Sequence, residues 1–233
     1  MSAGRLARAL LPERIFARAA ESYRALFVDL DAVVDCLPAP PPGAEILDVG
    51  GGDGAVLDRL LARHPGVRAT LLDLAPRVGA AIAPERRERV RLLAATRLAD
   101  ARARGVPAPD WVMLSDVLHH VPRGERDALL GELRALVGER PITLVVKDVA
   151  PGGLRSRMSV LADRWISGDR GVELLAPGAA IALVQRAFPR LAAHETALLR
   201  RDPPNYCVVF AAGGAAARPD ASGRCSRHTT TAS

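Results

Sequence analysis

Polar residues able to bind or react follow directly on a series of short apolar runs. Ile46, Leu47 and Val49 lead into Gly50-Gly51-Gly52-Asp53-Gly54, with Asp48 inside the run, and the helical pattern Ala55–Leu61 begins at once. Asp73 closes a second run twenty-five residues after Asp48, Ser115-Asp116 closes another, and Lys147-Asp148 a further one. A glycine cluster between a buried strand and a helix exposes backbone N–H groups and clears away the Cβ atoms that would block a ligand. Asp48 and Asp53 would repel a phosphate there and suit hydroxyls, an amine or a positive charge. A carboxylate in the place of Asp73 can accept two ribose hydroxyls; the alternative is an exposed acid opening the turn Asp73-Leu74-Ala75-Pro76.

These residues need an open sheet whose strands all present their carboxyl ends to one crevice. The chain alternates strand and helix patterns accordingly. Strands are expected over about 44–49, 67–72, 90–93, 111–114 and 142–146. Helices are expected over 55–63 and 124–137, with a short helix or turn over 76–83. A final pair over 193–199 and 205–211 is joined by a connection too short for a crossover, which implies an antiparallel hairpin. Asp202-Pro203-Pro204-Asn205-Tyr206 belongs to that connection. Residues 1–42 read as an N-terminal helical cap ending in the stiff Pro38–Gly43 linker. The α/β body spans 43–213 with a helical insertion at 151–190, and 214–233 has the composition of a disordered tail.

At 233 residues the chain has room for one sizeable core. Its formal charge of +6 is bland: Lys147 is the one lysine, and single arginines alternate with acids. Aromatics are 3% of residues, and no basic run interleaves with them, so nucleic acid is not an expected partner. The arginine bias reads as coding composition. No stretch approaches the roughly 18 apolar residues of a membrane span, and the Arg-rich start is soon interrupted by Glu13 and Glu21. A cytoplasmic protein without membrane contact is expected. Cys36, Cys207 and Cys225 are odd in number and lack CxxC spacing, so they read as free thiols and no metal site is expected.

The stretch Glu45–Gly54 resembles the glycine-rich first motif of class I S-adenosylmethionine-dependent methyltransferases, and Trp111–Val121, an apolar strand running into Leu118-His119-His120, resembles the fourth-strand segment of the family's small-molecule members. The resemblance covers residues 40–150 well and 151–212 in outline. It implies a Rossmann-like, doubly wound seven-stranded sheet with the last strand antiparallel. It also implies S-adenosylmethionine as cofactor, S-adenosylhomocysteine as product, and a small molecule as acceptor. The cofactor-binding residues it implies are Asp48, Gly50, Gly51, Gly52, Asp53, Asp73, Leu74, Thr96, Ser115 and Asp116. The family often has an acid after the third strand; Leu93-Ala94-Ala95-Thr96 stands here instead, with Thr96 or a backbone group left to meet the adenine. His119 or His120 would take the acceptor's proton, a role that suits a side chain titrating near neutrality. For either histidine the alternative is a capping or satisfied core residue. Lys147, Asp148 and Trp165 would lie on the substrate side, although an exposed lysine is the commoner outcome. Two other readings stand beside this one: a non-catalytic member of the fold that acts through association, and an aminopropyl transferase. The latter would want clustered carboxylates at the fourth strand, where only Asp116 stands.

Overall fold

The computed structural model describes residues 30–152, 172–201 and 204–212, and the side chains of 195–201 and 204 are left aside. Helix α1 (Leu30–Asp35) leads through the Pro-rich linker to β1 (Glu45–Val49). Then come α2 (Ala55–Arg63), β2 (Arg68–Leu72), β3 (Val90–Leu93), β4 (Trp111–Ser115), α3 (Arg126–Val137), β5 (Thr143–Val149), α4 (Pro177–Ala187), β6 (Leu191–Arg201) and β7 (Pro204–Ala212). The strand order is β3-β2-β1-β4-β5-β7-β6. Strands β1 to β5 are parallel, and β7 runs antiparallel to both β5 and β6. The fold is the seven-stranded α/β sheet expected, with its last strand reversed.

Period-two alternation sends successive side chains to opposite faces and builds two cores. Leu47, Val49, Val112, Leu114, Leu144 and Val146 pack with Leu130, Leu133, Leu183 and Val184 of α3 and α4. Ile46, Trp111, Met113 and Val145 pack on the other face with Val34 and with Leu57, Leu60 and Leu61 of α2. The order reverses between β1 and β4, so a crevice opens at their carboxyl ends. A shallow cavity of about 390 Å³ lies at the opposite pole, against Pro41, Gly43, Asp110 and Thr143, far from those ends.

Residues 76–83 form bends and a turn, within the short helix or turn expected there, and a 3-10 helix over Pro84–Arg89 follows them. Other expectations need correction. Arginines hold this connection. Arg86 forks onto Asp58 at 2.7 and 3.0 Å, and Arg89 donates to the carbonyls of Leu61, His64 and Val67 at the end of α2. Some of the arginine excess is therefore structural. Strand β5 is longer than its apolar run because it pairs with β7 as far as Val149 opposite Asn205. Lys147 and Asp148 thus lie within the strand, and Lys147, 1% exposed, is not a surface lysine. Pro204, Asn205 and Tyr206 belong to β7 and not to the hairpin connection. Most of the cap, Trp165 with much of the insertion, and the tail fall outside the described residues.

Candidate active site

The glycine turn is shaped by contacts as well as by conformation. Gly52 sits at φ +55, where its N–H donates to Asp73 Oδ2 at 2.8 Å, while Asp73 Oδ1 accepts the Ala75 N–H at 2.7 Å. Asp73 therefore joins the ends of β1 and β2 across the crevice. A Cβ on Gly51 would stand 2.3 Å from Asp48 Oδ2 and 2.8 Å from Leu71 Cγ, so only glycine fits there. Asp48 is buried beneath the turn, and its Oδ1 has no hydrogen-bond partner. Burial, then the charges of Asp73 and Asp53, push its carboxyl up to about 7. A buried carboxyl with an unsatisfied oxygen is costly alone and favourable beside a cation.

Around this core the other expected cofactor residues take different parts. Asp53 Oδ1 accepts the Ala55 N–H at 3.2 Å, at the start of α2. Leu74 is 71% exposed, an apolar side chain left beside the Asp73 carboxylate. Thr96 is buried; its hydroxyl donates to the Ala94 carbonyl at 2.8 Å and its N–H to the Asp73 carbonyl at 3.0 Å. Gly50 donates its N–H to the Leu72 carbonyl at 2.7 Å, which tightens the turn on the end of β2.

The ends of β4 and β5 carry a second polar cluster. Asp116 follows β4 at φ +57, a left-handed conformation that aspartate tolerates better than most residues. Both of its carboxylate oxygens accept from Lys147 Nζ, at 2.7 and 2.6 Å. Surrounding protein would by itself raise the Asp116 carboxyl; Lys147, then His119 and His120, outweigh that and hold it below the ordinary carboxylate range. Asp148 is fully buried and turned toward His119, accepting from the His119 N–H at 3.2 Å and meeting the ring at Nδ1. The His120 ring packs on His119, centroid to centroid at 4.0 Å, and is half-buried. One ligating atom each from Asp116, His119 and Asp148 falls within 4.8 Å of the others, a spacing that could hold a cation. Lys147 occupies both oxygens of Asp116 and Asp148 is committed to the ring, so this set reads as an ion-paired network.

Two contributors escaped the sequence reading. Arg126, on the buried face of α3, donates Nε to the Leu118 and Val121 carbonyls at 3.0 and 2.9 Å and Nη2 to the Glu173 carbonyl at 2.8 Å. It thereby fixes the turn that carries both histidines. The signal was available: residues 126, 130, 133 and 137 share one helical face, and an arginine in that stripe wants buried acceptors. Arg126→Ala should cost about 2–4 kcal/mol of stability by stranding those carbonyls, read as a lowered urea midpoint with unchanged slope. Tyr206, opposite Asp148 in the β5–β7 register, is buried with its hydroxyl unpartnered. Burial, then Asp148 and Asp116, push that phenol far above its ordinary range.

Comparison with known proteins agrees with this geometry. The family model described as "Methyltransferase domain" matches residues 47–140, from the glycine turn to the end of α3. A ubiquinone/menaquinone biosynthesis C-methyltransferase, UbiE, of Cereibacter sphaeroides is 50% identical over 44 residues, which are 19% of this chain and 17% of that one. Among solved structures, an O-methyltransferase family protein from Burkholderia thailandensis is 25% identical with a TM-score of 0.59, over 78% of this chain and 54% of that one. The O-methyltransferase NcsB1 from neocarzinostatin biosynthesis, in complex with S-adenosylmethionine and 2-hydroxy-5-methyl naphthoic acid, shares the fold at 19% identity and a TM-score of 0.60, over 84% of this chain and 56% of that one. The chain thus spans a little over half the length of these two structures and a smaller part of the curated relative. Glycine turn, strand order and family model converge: residues 47–140 match a methyltransferase domain, on a seven-stranded sheet that the O-methyltransferase structures share.

Proposed function

We propose that this protein transfers a methyl group from S-adenosylmethionine to a small molecule, with a proton-bearing atom, a hydroxyl oxygen first, as acceptor. The observation that carries the reading is the meeting, at one crevice, of the Asp48–Asp73 glycine turn with the His119–Asp148 pair. The unsatisfied buried oxygen of Asp48 fits the cationic end of that cofactor, the Asp73 carboxylate fits its ribose hydroxyls, and exposed Leu74 offers its adenine an apolar plate. The bound cofactor supplies a methyl group already activated on a sulfonium. The chain's own work is then to position the acceptor in line with that methyl and to accept its proton. His119 takes that proton on Nε2 as the acceptor oxygen bonds to carbon. Asp148, facing Nδ1, selects the ring tautomer with Nε2 free and stabilises the imidazolium. Ser115 and Asp116 line the cofactor side of the same crevice. No described helix is long and apolar enough to cross a membrane.

Calorimetry with S-adenosylmethionine, followed by methyl transfer to a panel of hydroxylated, amino and activated-carbon acceptors, tests the proposal. No binding would sink it; binding without transfer would favour a non-catalytic member of the fold. Affinity should also depend on pH with a definite sign. Asp48 titrates near 7 in the free protein, and a cationic ligand prefers it ionised. Binding should therefore strengthen as pH rises through about 7 and release a proton below it. Affinity that is flat from pH 6 to 8, about one unit either side, in buffers of different ionisation enthalpy would contradict the role given to Asp48.

A further inference from the structure

A buried ammonium is expensive to hold, and the chain's one lysine is 1% exposed on β5. Its Nζ donates to both carboxylate oxygens of Asp116. An Asp116 carboxylate oxygen in turn lies within 4.8 Å of a His119 ring nitrogen. Among the described residues, the charged and titratable groups near His119 come from several elements. Asp148 and Lys147 come from β5, Asp116 from the end of β4 and His120 from the same turn. Arg126 comes from α3 with Glu173 3.9 Å from it, and the Glu173 N–H donates to the His119 carbonyl. The Tyr206 phenol comes from β7. Arg126 and Glu173 offset one another, and the phenol is neutral. Among the described residues, that leaves two carboxylates and one ammonium nearest the ring. Without the ammonium, the two carboxylates would favour the protonated imidazole, which cannot act as a base. Without Asp116, the ammonium would sit unpaired and drive the proton off.

We propose that Lys147 and Asp116 form a charge pair that sets the protonation of His119, Asp116 holding the proton on the ring and Lys147 offsetting that hold. They are tuning residues acting through His119. The catalytic consequence rests on the base assignment above; the electrostatic claim does not.

The test is a histidine-ring NMR titration of the full chain without cofactor, the His119 resonance being assigned by its loss in His119→Gln. Asp116→Asn should lower the His119 midpoint by about one unit or more and Lys147→Met should raise it by a similar amount, as charges at this range do. The double variant Lys147→Met/Asp116→Asn should fall between the two singles. Should one single variant not fold, the double against the other still gives the sign. Midpoints that stay put, or that move the same way in both singles, overturn the proposal. With an acceptor from the panel in hand, the acid limb of kcat/KM should track the NMR midpoints. Midpoints that move while the limb does not would uphold the charge pair and remove His119 as base.

Discussion

Replacing His119 with alanine is expected to slow methyl transfer by about 10²–10⁴-fold, the usual span for a positioned acid–base group, while affinity for S-adenosylmethionine changes by about twofold or less. The separation follows from the architecture. His119 stands after β4 against Asp148 of β5, whereas Asp48, Asp73 and the glycine turn, proposed to hold most of the cofactor, stand at the β1 and β2 ends. Asp148→Asn should lower the rate nearly as far, although Asn keeps the shape. Its amide can donate to Nδ1, which puts the ring proton on Nε2 and leaves no lone pair for the acceptor. His120→Ala should have the smallest effect of the three, because it is the His119 ring that Asp148 meets at Nδ1. Single-turnover rates at saturating cofactor, measured beside calorimetric affinities, read chemistry apart from binding. A collapse of rate in His120→Ala with His119→Ala intact would exchange the two assignments.

How far the site was legible depended on the kind of physics behind each residue. The glycine turn, Asp73, and the apolar run into His119-His120 were readable because local pattern dictates them: a strand must end, a turn must form, and a ligand face needs small residues. The parallel order of β1 to β5 followed from strand–helix alternation, and the reversed β7 from a connection too short to cross over. Lys147 was misjudged as exposed because its burial is decided by a partner thirty-one residues away, Asp116, and by the neighbouring strand β7. The pairing of Asp148 with His119 was hidden for the same reason: nothing in the run Val145–Val149 says where its carboxylate turns. Tyr206 and Arg126 act across elements, and single-sequence periodicity places a residue on a face without naming what waits there. Thr96, expected to meet the adenine, spends its hydroxyl proton on the Ala94 carbonyl, so any bond it makes to a base would be as an acceptor.

Cofactor affinity should fall by about 100-fold or more in Gly51→Ala, roughly 2.7 kcal/mol. The added methyl would lie 2.3 Å from Asp48 Oδ2 and 2.8 Å from Leu71 Cγ. Neither neighbour can retreat, since Asp48 and Leu71 are paired residues of β1 and β2 in the centre of the sheet, both buried. The turn itself must therefore shift, and with it the N–H groups and the Asp48 carboxyl that face the ligand. Gly66→Ala, where a Cβ meets nothing within 4 Å, is the matched control and should bind as the unaltered protein does. Asp73→Ala should weaken binding comparably by a different route, because it removes the acceptor for two ribose hydroxyls and also frees the Gly52 and Ala75 N–H groups. Asp73→Asn separates these contributions: one amide oxygen can still hold one N–H, but the charge is gone, so its affinity should fall between those of the unaltered protein and Asp73→Ala. Thermal unfolding of each variant without ligand reports the cost to the fold alone. If Gly51→Ala binds normally at an unchanged melting temperature, the ligand does not approach the turn closely, and the cofactor's cationic end must be held by something other than Asp48.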